Sequence, residues 1–201
     1  MKPVAQTLLS ELDATMRKSP NSRHLVILRQ ITDLFLLGAG SYTDEQIAIF
    51  DEVISRLIEN MDQAALVELS ARLSSVEKGP ANVVARLSGS DDIAVSGPAL
   101  EKSDTLSDQT LVEIAGKKSQ KHLAAIAGRA RISALVTDAL VERANPEVSR
   151  KISANPGAHF SEIGFVKLIN RAKSDRELAN AISGRDDLPD ELIPFLKLTL
   201  T

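Results

Sequence analysis

A chain of 201 residues with 43% hydrophobic and 25% charged side chains is long enough for a sizeable core and too apolar to be disordered. It has no cysteine, which excludes disulfides and thiolate chemistry, and its composition is compatible with a reducing cytoplasm. Aromatics make up only 3%, with no Trp and one Tyr, and the net charge is −3, so few rings are left to stack on bases and the overall field repels nucleic acid.

No apolar run approaches the roughly 20 residues of a membrane span. The first stretch spaces Val4, Leu8, Leu12 and Met16 along one face of an expected helix over 4–18. Glu11 and Asp13 inside it argue against a signal peptide. Ser19-Pro20 breaks that helix, and a second follows over 23–37 with Leu25, Leu28, Ile31, Leu34 and Phe35 on one side. Thr43 to Gln46 has the form of a capping box opening a third helix, whose face is Ile47, Phe50, Val53, Ile54, Leu57 and Ile58. Asp62 is placed to cap a fourth, with Leu66, Leu69 and Leu73. Residues 1–78 therefore read as an N-terminal group of about four helices.

From Gly79 the helices shorten and the punctuation thickens. Leu106, Ile132, Phe160 and Leu188 recur after 26, 28 and 28 positions. Eight residues past each stands an aliphatic: Ile114, Leu140, Leu168, Leu196. Such a period marks stacked supersecondary units, each too small to bury its own apolar face. Gly79-Pro80 reads as a cap with Pro at the first helical position, and Gly97-Pro98 as a kink or delay in the helix after Asp92. Asn145-Pro146 repeats the cap-then-Pro device, Ser174 to Glu177 reads as a capping box, and Leu188-Pro189 opens a last helix. The expected fold is all-α: an α-solenoid of HEAT/armadillo-like helix-pair repeats over 79–201, continuing the N-terminal group as one body.

The stretches "SDDIAVSGPALEKSDTLSDQTLVEIA", "ALVERANPEVSRKISANPGAHFSEIGF" and "SGRDDLPDELIPFL" resemble HEAT-type and leucine-rich-variant helical repeats. With "RQITDLFLLGAGSYTDEQIAIFDEVISRLIE", nearly the whole chain resembles a bacterial family classified only as a domain of unknown function. The resemblance implies a solenoid-like cytoplasmic protein and brings no catalytic residue with it. Gly79 at an anchor position and the breakers at 97 and 98 depart from the pattern.

No catalytic, cofactor or metal site is expected. His24, His122 and His159 lie far apart, without metal-ligand spacing, and read as exposed or capping residues. Asp91-Asp92 and Asp186-Asp187 read as helix caps, and the serines at 103, 107, 119, 133 and 161 as helix starts. No nucleophile has a base beside it, so the chain reads as no enzyme. The informative feature is charge placement. Residues 117–176 hold twelve basic residues against five acidic ones, a local balance of +7. Lys117, Arg143 and Arg171 each follow an anchor by 11 positions and should align along one edge, with Lys118, Lys121, Arg150 and Lys151 beside them. These seven are the candidate partner-binding residues, and an acidic protein or peptide is the expected partner. Nucleic acid is the alternative, and no membrane is expected. The plainer explanation is that cations near helix C-termini complement the helix dipole. If it sits on the exposed ladder, Arg143 is expected to matter little to folding.

Overall fold

A computed structural model describes residues 21–200 of the chain. The helix expected over 4–18 lies outside the described residues. Every regular element described is helical, apart from one isolated β-bridge. The elements fall into two compact units, one reaching to Ala99 and including Ser103–Leu106, the other formed by Leu100–Lys102 and the residues from Ser107 onward.

The first unit contains α1 (Asn21–Gly38), α2 (Asp44–Leu57), α3 (Gln63–Leu73) and α4 (Ala81–Ser88), and the start of α5 (Ile93–Lys102). Their apolar stripes meet in a core of Leu28, Phe35, Ile54, Leu57, Leu69, Leu73 and Val83. Phe35, Tyr42 and Phe50 cluster within it, with ring centroids 5.0–6.0 Å apart. Thr43 and Gln46 close the expected capping box, and Asp62 caps α3 through the Ala65 N–H. At α4 the expectation fails by one position. Pro80 is the N-cap, not the first helical residue, and has no side chain to offer the free amides. Asp51, buried on α2, does so instead, accepting from the Asn82 and Val83 N–H groups at 3.0 and 2.9 Å and from Asn82 Nδ2 at 2.8 Å. α5 likewise starts at Ile93 without delay and runs through Pro98. Proline there forfeits one backbone bond, and burial of Val95, Ala99 and Leu100 on the same helix outweighs it.

The second unit contains α6 (Asp108–Lys117), α7 (Gln120–Ile126), α8 (Ala134–Arg143), α9 (Pro146–Ser153), α10 (Glu162–Ala172), α11 (Arg176–Ser183) and, after a 3-10 turn at Asp190–Leu192, α12 (Ile193–Leu200). Ser107, Ser133 and Ser161 each accept the N–H three residues on, which satisfies one of the unpaired amides of a helix start. α8 packs between α6 and α10, α9 packs between α7 and α11, and α12 lies against α10 and α11. Ile114, Leu140, Leu168 and Leu196 are all buried along these contacts.

Several local expectations are corrected. Asp175, not Ser174, caps α11, because the Ser174 hydroxyl turns back to the Arg171 carbonyl. Asp187 pairs with Arg185, and Pro189 holds the N-cap position of the next turn. Ser103 ends α5 instead of starting a helix, and Ser119 stands at the start of α7 without capping it, its hydroxyl 2.8 Å from His122 Nδ1. His24 and His122 are buried, not exposed, and His24 has no hydrogen-bond partner among the described residues.

Candidate functional site

The last four carbonyls of an α-helix have no partner within it, and in a helix of seven to eleven residues they are a large share of the backbone. In the second unit, side chains from the next helix pair satisfy them. Arg143, in the last turn of α8, donates from Nη1 to the Ala115 carbonyl at 2.6 Å and the Lys118 carbonyl at 3.0 Å, at the end of α6. Arg171, in the last turn of α10, repeats the device one pair later, donating to the Ala144 carbonyl and to Ser149 Oγ, both at 3.2 Å. Gln120 works in the other direction. Its Nε2 donates to the Arg143 carbonyl at 2.8 Å and its Oε1 accepts the Asn145 N–H at 2.9 Å.

The opposite ends of the helices are tied in the same way. Arg129 donates to the Leu100 carbonyl at 2.7 Å, and Asn155 Nδ2 to the carbonyls of Ala127 and Arg129 at 2.9 and 2.8 Å. Arg185 reaches the carbonyls of Ser153, Asn155 and Ala158 at 2.5–3.0 Å while its guanidinium lies over the Phe160 ring. Between these ends the loops before α8 and α10 touch directly. The Ile132 N–H donates to the Gly157 carbonyl, and the His159 N–H to the Ile132 carbonyl, each at 2.9 Å.

The seven basic residues singled out by sequence therefore divide. Arg143 and Arg171 bind backbone carbonyls, so Arg143 is not a free charge on an exposed ladder, the condition on which it is expected to matter little to folding. Arg150 makes a forked pair with Asp175 at 2.9 Å and a second with Glu177 at 2.8 Å, joining α9 to α11. Burial alone would raise the Asp175 carboxyl, but the Leu178 N–H and the Arg150 guanidinium hold it below the usual carboxylate range. The same pairing raises Arg150. Lys118 lends its carbonyl to Arg143. Lys117, Lys121 and Lys151 are exposed, and their ammonium groups hold no hydrogen bond or ion pair among the described residues. Lys117 and Lys121 flank the α6–α7 turn, whereas Lys151 lies at the far end of α9 beside Gly128. Lys173 and Arg176, at the α10–α11 turn, are exposed and unpaired in the same way.

Two shallow clefts adjoin these contacts. One, of about 380 Å³, is lined by Ser149, Arg150, Arg171, Ser174, Asp175 and Leu178. The other, of about 230 Å³, lies between the ends of α9 and α11 and is lined by Pro156, His159, Ala181, Arg185 and Asp186, among others. In the first, the charged groups already answer one another, and in the second Arg185 is bound to Asp187 and to carbonyls. No group of three or more His, Cys, Asp or Glu side chains is placed to hold a metal among the described residues, and no helix among them is long and apolar enough to cross a membrane.

Sequence reasoning missed Asp51, Gln120, Asn155 and Arg185 as structural residues. Asn155 stands in Asn-Pro-Gly, which reads as a closing turn, and nothing local signals that its amide reaches a chain segment 26–28 residues away. Neither the curated proteins nor the solved structures offer a match to the chain. A family model does match, over residues 95–196, half of the length, and the chain accordingly belongs to the family described as an uncharacterised protein conserved in bacteria, DUF2336.

Proposed function

We propose that this protein is a non-catalytic, cytoplasmic α-solenoid of HEAT-like helix-pair repeats that acts as a docking scaffold, with an edge of exposed cations receiving an acidic protein partner. The carrying observation is the division of labour along that edge. Arg143 and Arg171 are bound to the carbonyls of the preceding helix pair, which fixes the turns. Lys117, Lys121, Lys173 and Arg176 stand on the same turns, exposed and unpaired among the described residues. A fixed row of unpaired cations suits recognition of carboxylates, because its electrostatic field is organised before the partner arrives. Bond separations of 25–29 residues between Arg129, Arg143 or Arg171 and the carbonyls they bind support the repeat reading.

The test compares affinity capture from native lysate by the wild type and by a Lys117→Glu/Lys121→Glu variant of equal helicity. A protein retained by the wild type, resistant to nuclease and lost with the variant is the expected result. Capture unchanged by the variant removes the edge from the proposal. Retention of nuclease-sensitive material alone replaces a protein partner with nucleic acid.

A further inference from the structure

The outward side of the helices α6, α8, α10 and α12 differs in character from the lysine edge. Large apolar side chains stand exposed on three of them: Leu135 at 57%, Ile163 at 66%, Val166 at 42% and Phe195 at 60%. Leu135 and Ile163 are each the second residue of their helix, α8 and α10, and Phe195 is the third of α12. Because α10 lies against both α8 and α12, these positions run across neighbouring helices as one stripe instead of being scattered singly.

Charge is sorted along the same helices. Lys117, Arg143, Arg171 and Lys197 all stand in last turns, which on α8 and α10 is the end away from Leu135 and Ile163. On α8 no acid stands in the first turn and Glu142 lies in the last, paired with Lys167, but the neighbouring helices differ. Asp108 and Glu162 open α6 and α10, and Asp190 and Glu191 lie in the turn before α12. All four are exposed and none is in an ion pair among the described residues. On α10 and α12 the apolar stripe thus begins beside acids.

From this pairing we infer that the face of α8, α10 and α12 is a second docking surface, and that its occupant is an amphipathic helix of another protein with an apolar ridge flanked by Lys or Arg. The charge decides among occupants. A second copy of the same face would set acid against acid, and an anionic membrane surface would be repelled for the same reason. A helix suits the geometry, since ridges of side chains lie in the grooves of packed helices about 10 Å apart, and crossing three of them takes about 20 Å, or roughly 14 helical residues. The surface is separate from the lysine edge, so either assignment can fail without the other.

The probe is a fluorescein-labelled synthetic helix with Leu at helical spacing and Lys elsewhere, alongside a counterpart with uncharged Gln in place of Lys. Binding is read by fluorescence anisotropy with the full chain. The Leu/Lys peptide should bind and the Leu/Gln peptide should bind far more weakly. Ile163→Ser/Phe195→Ser should weaken binding at least tenfold, and Glu162→Lys/Glu191→Lys should weaken it in a salt-dependent way. These residues are exposed, so both variants should keep wild-type circular dichroism. Lys117→Glu/Lys121→Glu should bind the peptide as well as the wild type, which separates this surface from the cationic edge. Equal binding of the two peptides, or binding indifferent to the Ile163→Ser/Phe195→Ser change, overturns the inference. So does sedimentation of the wild type as a dimer that the same change dissociates, which would assign the face to a second copy.

Discussion

The two units reach stability by different routes. In the first, α1, α2 and α3 are 18, 14 and 11 residues long and meet through an aromatic and aliphatic core, with Arg29–Glu68 and Arg72–Asp33 pairing on the surface. In the second, α6 to α12 are 7 to 11 residues long, and side chains of one pair bind the carbonyls of another. The contrast follows from length. A short helix is mostly ends, so its unpaired backbone groups weigh more against its buried area. The first unit uses related long-range bonds where α4 is short: Asp51 of α2 caps its start, and Arg86 near its end donates to the Ser55 carbonyl.

The largest effect should come from the packing that both units share. Leu168 is fully buried, and Leu168→Ala should cost about 2–5 kcal/mol, the usual range for a buried leucine truncated to a cavity. Chemical unfolding followed by hydrogen exchange should place the loss in α8, α10 and α11 and leave protection in α1–α3 unchanged. Equal loss of protection in both units would end the comparison, since it would mean that they unfold as one.

Gly157→Ala tests the loop contact peculiar to the second unit. A Cβ at residue 157 would lie 1.9 Å from the Ala130 carbonyl oxygen, a backbone atom that cannot turn aside. Relief requires separating the loops and giving up the Ile132–Gly157 hydrogen bond, at a cost of about 1–3 kcal/mol. Gly116→Ala in α6 meets nothing within 4 Å and should instead stabilise by about 0.5–1 kcal/mol. Melting temperatures that move in opposite directions support the reading; a neutral Gly157→Ala would remove the loop contact from it.

Arg143→Ala should be milder, about 1 kcal/mol, the net worth of a typical hydrogen bond. Arg143→Lys should restore it only in part: both bonds leave the single nitrogen Nη1, and lysine carries its donors on a more strongly hydrated ammonium at the end of a flexible stem. Wild-type stability in the alanine variant, or full rescue by lysine, would return Arg143 to the surface charges.

Much of the helical punctuation was legible because capping is local. Thr43, Asp62, Ser107, Ser133, Asn145 and Ser161 each act within three residues, and the sequence carries the whole signal. What was not legible acts across 22 to 32 residues. The run of arginines over 117–176 reads as charge, and only the fold reveals that Arg143 and Arg171 serve as hydrogen-bond donors to another helix's backbone. Ser174 was misread for a related reason. Asp175, one residue on, caps the helix and also meets Arg150 from α9, a link that no local pattern encodes. The candidate surface was correspondingly half visible: sequence singled out the cations together, and the structure separated the bonded arginines from the exposed lysines.

The smallest effect concerns that same Asp175, and its signature is a pH dependence. The carboxyl is held below its ordinary value in the folded chain by the Leu178 N–H and Arg150, so folding favours the ionised form. Its contribution should be complete above the unfolded carboxylate value, about 4, and fade as pH falls through the lower folded value. Arg150, shifted upward, stays charged throughout and adds no titration of its own. The stability gap between wild type and Asp175→Asn, from urea midpoints, should therefore be constant between pH 7 and 5 and shrink toward pH 3. Glu142→Gln provides the contrast. Its carboxyl is lowered by Lys167 too, but on the open surface, where water screens the pair and the gap should be hard to detect at any pH. A gap at Asp175 that held constant into acid would mean that the Arg150 fork and the α11 cap do not favour the charged carboxylate. The joint between α9 and α11 would then rest on packing alone.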